Sequence, residues 1–449
     1  MFEFGRELRR IMGQGGRYEP DVSLYELMNL ELLITQGRGL DIEGGRVSTR
    51  SRFEPYLESA LVWREYARRT GDTLALRKAT TAAEAAGKAS KTLSEAASAA
   101  LVQAEICLLG YDLFETVELL TSAETLVATG RSAVEADAHL MAAYTLAEGR
   151  LAARLAVRQG VGEDLEPALL AMAHIDRAIE RFDGLVRQTK AAKDKIHAAD
   201  ARLERADLLM LVGLDRHDSR LMSAVIRDLS ALRARLDPDY EPVTFVRVTQ
   251  RLALAHVWAG QIDGEPRMIS EGLSLLTPSE EVVVYEHAPL DWVAQTHFRA
   301  LGLQALSELV SEDALAEQAL NAFDLALSKS LAKPLAIRAH IVNNRAACLA
   351  RRAELKGDLL SLDDAEAAFK AELRQIKPGE DPVGWAILQT NLGRLYVARG
   401  DITGFMLDRA EAAYALEAAH EIFVEHGLKS LAQTALENLS RVRAENEHE

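Results

Sequence analysis

The stretch Trp385-Ala-Ile-Leu-Gln-Thr-Asn-Leu-Gly-Arg-Leu-Tyr-Val-Ala-Arg-Gly400 decides how the rest of this chain is read. Trp385, Leu388, Leu392, Leu395 and Tyr396 recur at spacings of three and four, which places them on one face of an α-helix. Gly393 leaves a notch in that face where a neighbouring helix can come close. Gly400 is read as the helix end, because glycine tolerates left-handed backbone there. A second amphipathic helix follows through Leu407, Ala410, Tyr414, Ala418, Ala419, Ile422 and Phe423, stopping near His426-Gly427. Ahead of the pair, Lys377-Pro-Gly-Glu-Asp-Pro382 reads as a helix stop followed by a start. Similar breaks are read at Asp237-Pro-Asp-Tyr-Glu-Pro242, Thr277-Pro278 and Ala288-Pro289.

The hairpin repeats. Ala319, Ala365 and Ala410 each stand four residues before an aromatic, Phe323, Phe369 and Tyr414, and those aromatics are 46 and 45 residues apart. A second series, Gly213, Gly260, Ser307, Ala353 and Gly400, marks the end of each first helix at steps of 47, 47, 46 and 47. Looser turn points at Gly71, Gly110 and Gly160 carry the series back, giving about eight units from Phe53 onward. A hairpin of this size cannot bury its own apolar faces, but stacked neighbours can, so the pattern predicts an all-α solenoid.

Trp385–Gly400 resembles the first helix of a tetratricopeptide (TPR) repeat, with Leu392-Gly393, Tyr396 and Gly400 at that family's Leu-Gly, Tyr and Gly spacings. The Ala-x₃-aromatic pattern resembles its second helix, and Asp291-Trp292-Val-Ala-Gln-Thr296 and Ile341-Val-Asn-Asn-Arg-Ala-Ala347 are degenerate echoes. The period departs from the family, about 47 residues against the usual 34 or so. The resemblance implies a right-handed superhelix of about eight TPR-like hairpins, with each first helix on a concave face that holds a protein or peptide. Carrying the last unit's register back places Gln250, Thr296, His340, Asn343, Arg351 and Arg394 toward that groove as candidate partner-binding residues. The expected function is a non-enzymatic interaction scaffold or adaptor. The alternative is a ligand- or peptide-sensing regulator whose solenoid changes curvature on binding.

Three segments are expected: residues 1–50 as an N-terminal cap or anchor, 51–240 as degenerate hairpins, and 241–445 as TPR-like repeats. In the first, Gly13–Gly16 reads as a flexible joint, the glycines of 37–45 as a helix break, and Leu40-Asp41-Ile42 as a short strand. Phe2, Phe4, Leu8, Ile11 and Met12 with Arg6, Arg9 and Arg10 fit a basic amphipathic helix, either a peripheral membrane or partner anchor or a plain terminal helix.

Composition bounds the chemistry. The 449 residues are 48% hydrophobic and only 6% aromatic, with a formal charge of −16 that repels phosphate, so nucleic acid is not an expected partner. No run of about 18 uncharged apolar residues is seen, and no signal peptide, so a cytoplasmic protein without a spanning helix is expected. Cys107 and Cys348 read as small buried hydrophobes. The histidines show no His-Glu-x-x-His spacing, no Gly-x-Ser-x-Gly elbow occurs, and the Gly-Gly pairs lack phosphate-loop spacing. Neither an enzyme, a metal nor a cofactor is expected.

Overall fold

The computed structural model describes residues 22–46, 51–131, 134, 137–160, 164–329, 335–356, 359–374, 376, 378–379 and 382–447. Residues 1–12 and the Gly13–Gly16 joint lie outside them. The described residues form nineteen helices and no strand. Two precede the repeats, α1 (Ser23–Leu27) and α2 (Leu30–Gly45). Eight hairpins follow: α3 (Phe53–Thr70) with α4 (Thr73–Ala89), α5 (Leu93–Phe114) with α6 (Glu118–Arg131), α7 (Ala138–Gln159) with α8 (Glu166–Thr189), and α9 (Ala192–Asp215) with α10 (Ser219–Arg233). The second four are α11 (Pro242–Asp263) with α12 (Pro266–Val282), α13 (Pro289–Val310) with α14 (Asp313–Leu327), α15 (Ala336–Lys356) with α16 (Leu359–Leu373), and α17 (Pro382–Thr403) with α18 (Met406–Glu425). A last helix, α19 (Lys429–Glu447), covers α18. The chain is an all-α solenoid.

The period is tighter than the sequence reading implied. The second helix of each of the last six hairpins buries one large side chain at the same place: Phe182, Leu229, Leu276, Phe323, Phe369 and Leu416, none more than 1% exposed. Their steps are 47, 47, 47, 46 and 47 residues, and four residues before each stands a buried Ala178, Val225, Gly272, Ala319, Ala365 or Ala412. In the last hairpin this corrects the reading by two residues: Tyr414 is 71% exposed, and Leu416 fills the core slot. The regular register thus begins at Ala178, well before residue 241.

The first-helix markers also have a structural cause that differs from the expected one. Gly213, Gly260, Ser307 and Gly400 are not helix ends; each lies two or three residues inside its helix. Their carbonyls accept the bonds that close the helix: Asp218 N to Gly213 O at 2.8 Å, Glu265 N to Gly260 O at 2.8 Å, Glu312 N to Ser307 O at 3.2 Å and Gly404 N to Gly400 O at 2.8 Å. The left-handed residues are His217, Gly264, Ser311 and Gly404. Closure of this kind satisfies carbonyls that have no partner within the helix.

Two further readings are corrected. The glycines of 37–45 do not break a helix, and Leu40-Asp41-Ile42 is helical within α2. A Cβ at Gly37 would lie 2.7 Å from the Trp63 ring, and one at Gly44 2.6 Å from Tyr56, so these glycines allow α2 to lie close on α3. The helix also runs through Pro278 to Val282. The lost N–H falls near that helix's end, and the Gln295 amide donates to the Leu276 carbonyl at 3.1 Å. Finally, α5 is long and apolar enough by composition to cross a membrane. It packs between α3 and α7, carrying Glu105 and Asp112.

Successive first helices touch one another in order, α3 to α5, α5 to α7, and on to α17, so they form the inner wall. After five hairpins the wall returns on itself: α13 packs on α3, and α15 on α5. An apolar seam of Leu113, Leu290 and Leu335 joins the two levels.

Candidate functional site

Where the inner wall returns on itself, it forms a half-open cavity of about 330 Å³. Apart from Glu65 on α3, the charges on its lining helices alternate in sign from one helix to the next. Arg64 and Arg68 come from α3, Glu105 and Asp112 from α5, Arg150 and Arg154 from α7, Asp200 and Glu204 from α9, Arg247 and Arg251 from α11, and Asp291 from α13. Each helix therefore meets the opposite charge on both neighbours. Glu105 is paired by Arg64 and stands 3.7 Å from Arg150. Arg154 donates to Asp112 at 2.7 Å and also pairs with Glu204, which accepts from Arg150 Nε at 2.9 Å. Arg247 donates to Asp200 at 2.7 Å, and Arg251 to Asp207 at 3.2 Å. Arg68 closes the circle across 223 residues of sequence, donating to both oxygens of Asp291 at 3.2 and 3.1 Å.

An isolated charge in such a place would be costly, and a ring of alternating charges offsets desolvation because each group faces an opposite charge on a neighbouring helix. The ionisation states follow. Burial works against the Glu204 carboxylate, but Arg154 and Arg150 hold its pKa down at about 2. Burial likewise opposes Glu65, yet Arg68 and Arg69 keep it well below the usual carboxylate range. His197 also lines the cavity, stacked on Phe182 at 5.4 Å. Burial, followed by the neighbouring His139, lowers its pKa to about 4, so at neutral pH it is an uncharged imidazole.

Val22 and the α1 residues Tyr25 and Glu26 also line the cavity. Glu26 Oε2 accepts from Val243 N at 2.8 Å and Thr244 N at 3.0 Å, and Oε1 from the Thr244 hydroxyl at 2.6 Å. It caps the N-terminus of α11, where Pro242 contributes no N–H. Arg69, with no exposed surface, donates to Tyr25 O at 2.5 Å, Met28 O at 2.7 Å and Glu65 at 2.6 Å. The N-terminal segment thus joins the first hairpin to the fifth.

The six groove candidates do not converge on this cavity. Gln250 is fully buried and donates to Asp291 O at 2.7 Å; Thr296 is 7% exposed and donates to Trp292 O at 3.0 Å. Both are used between and within helices. His340 stands 3.5 Å from Glu115, at the seam between α15 and α5. Asn343 is half-buried, and its Oδ1 is sealed without a hydrogen bond among the described residues. Arg351 and Arg394 are exposed. Of the cysteines, Cys348 is buried and its thiol is pushed up to about 12, first by burial and then by Glu308; Cys107 is half-buried and raised by burial.

Along the first six hairpins the concave side is therefore a half-open, ion-paired lumen. Sequence reading missed it, although it left a trace: the inner helices change sign at the repeat interval, from Arg64 to Glu105, Arg150, Asp200, Arg247 and Asp291.

No family model matches the chain, and no curated protein matches it. Among solved structures it is similar to a "circular tandem repeat protein with novel repeat topology and enhanced subunit contact surfaces" at 14% identity, covering 94% of this chain and 96% of that one, with a TM-score of 0.28.

Proposed function

We propose that the chain is a non-enzymatic scaffold or adaptor of tetratricopeptide-like build, which captures a protein or peptide in the cytoplasm through its last inner helices. The observation that carries this reading is Arg394. From Asn391 to Ala398 every residue of α17 is buried except Arg394. Its guanidinium makes no ion pair or hydrogen bond among the described residues. A lone arginine projecting from an otherwise buried stretch of an inner helix suits a carboxylate supplied from outside. The test is affinity capture with Arg394→Glu, beside Arg267→Glu on the exposed start of α12, with circular dichroism confirming both folds. One stoichiometric partner lost only with Arg394→Glu supports the reading. Identical capture by all three forms rejects it.

A second reading, a ligand-sensing regulator, is favoured by the cavity itself. A closed turn held by Arg68 and Asp291 is an element whose curvature a bound ligand can bias.

A further inference from the structure

The lumen around His197 holds more hydrogen-bonding capacity than its own ion pairs use. Arg64 directs one guanidinium N–H to Glu105, Arg247 one to Asp200, and Arg251 one to Asp207. Their other N–H groups have no acceptor among the described residues. On the acidic side Asp200 accepts through Oδ1 alone, and Glu105 Oε1 has only the 3.7 Å approach of Arg150. His197 has ring contacts but no hydrogen bond among the described residues. Side-chain atoms that are sealed and without a hydrogen bond among the described residues occur elsewhere, at His174, Gln250, His256, Gln304 and Asn343. The spare donors and acceptors here therefore open into the 330 Å³ cavity.

The charges also restrict what can enter. Six arginines and seven carboxylates line the space, and two of the carboxylates are already committed, Glu26 to the α11 cap and Glu65 to Arg68 and Arg69. Positive and negative groups are close to balance, and they alternate. A ligand of one sign would satisfy half of the spare groups and repel the other half. A ligand carrying both signs a few ångströms apart satisfies both.

We propose that this cavity binds a small zwitterion, a free amino acid or a peptide of two or three residues, with its carboxylate on Arg64 and Arg247 and its ammonium group on Asp200 and Glu105. Guanidinium groups suit the carboxylate, which they hold in a bidentate manner. Asp200 and Glu105 have oxygens free for the ammonium hydrogens, and the neutral His197, lining the same cavity, accepts or donates without adding charge. The volume is at the lower end of ordinary small-molecule sites of roughly 300–1,000 Å³. This inference rests on the sensor reading.

The experiment is thermal melting of the full chain with each of the common amino acids and with a random-sequence tripeptide mixture. The same mixture is also used N-acetylated, C-amidated, or replaced by inorganic phosphate. The expected result is a Tm increase of several degrees from at least one free amino acid or from the free tripeptides, with the blocked mixtures and phosphate giving none. Asp200→Asn should weaken the binding of the active probe at least tenfold by calorimetry, and Arg64→Gln gives a second reading of the same site. No shift from any free zwitterion overturns the proposal. So does an equal shift from the blocked mixtures or phosphate. Small-angle scattering separates the two levels: binding with an unchanged radius of gyration leaves the site standing and overturns the sensor.

Discussion

Gly260 stands three residues inside the end of α11, where a Cβ would lie 2.6 Å from Ile269 Cγ1 and 2.9 Å from the Glu265 carbonyl. The backbone of the following helix cannot retreat without opening the hairpin. Gly260→Ala is therefore expected to cost about 1–3 kcal/mol through overpacking, although alanine is the better helix former. Gly39, helical within α2 and with nothing within 4 Å of its Cβ position, is the opposite case. Gly39→Ala should stabilise by about 0.5–1 kcal/mol. Urea denaturation of the two variants checks both signs; two effects of the same sign would contradict this account of the notch. At this scale the sequence displayed which glycines recur, but not why. A glycine that ends a helix and one that admits a neighbour look alike in one dimension, and the difference lies in what packs against it. Tyr414 shows the same limit, since an aromatic at nearly the right interval was read as core while Leu416 took the slot.

The elements were largely legible. Pro242 and Pro289 open α11 and α13 as helix-start signals, and Gly427 ends the last hairpin in left-handed conformation. What could not be read was a partner far away in sequence. The cap of α11 is Glu26, which satisfies two backbone N–H groups 217 and 218 residues away. Glu26→Ala should lower stability by about 1–2 kcal/mol, the usual effect of losing a capping side chain, and Glu26→Gln, which keeps the acceptor oxygen, should lose less. Equal losses from the two would show that the carboxyl group has a different role. The helical path of α2 was missed for a related reason: its glycines lower helix propensity, and tertiary packing on Trp63 and Tyr56 outweighs that deficit.

For the whole molecule, the buried histidines set the response to acid. Burial lowers the pKa of His197 to about 4 and, followed by His340, that of His297 to about 3, from an unperturbed 6.5. Between pH 6.5 and 4 the unfolded chain binds protons that these two imidazoles refuse in the folded chain, so stability must fall as pH falls through that window. Glu204 adds to the loss below about pH 4.5, as its folded-state pKa of about 2 is approached. The expected outcome is a Tm that declines from pH 7 to pH 4, with a shallower decline in His197→Gln/His297→Gln. A flat or rising Tm across that window would refute the buried neutral histidines. The closure behind this behaviour was out of reach of sequence reading. Arg68 and Asp291 are each ordinary helix residues, and only the superhelical return after five hairpins brings them together.

Hydrophobic spacing and a 47-residue interval were enough to determine that this chain is all-α, that its helices pair into hairpins and that the hairpins stack, because each of those features depends on residues a few turns or one repeat apart. The tertiary structure alone decided that the stack closes within five hairpins, that Glu26 and Arg69 fasten its beginning to its middle, and that the concave side of the first turn is a charged lumen. The physical reason is curvature. Small rotations between neighbouring hairpins accumulate over a full turn, and no local pattern records their sum.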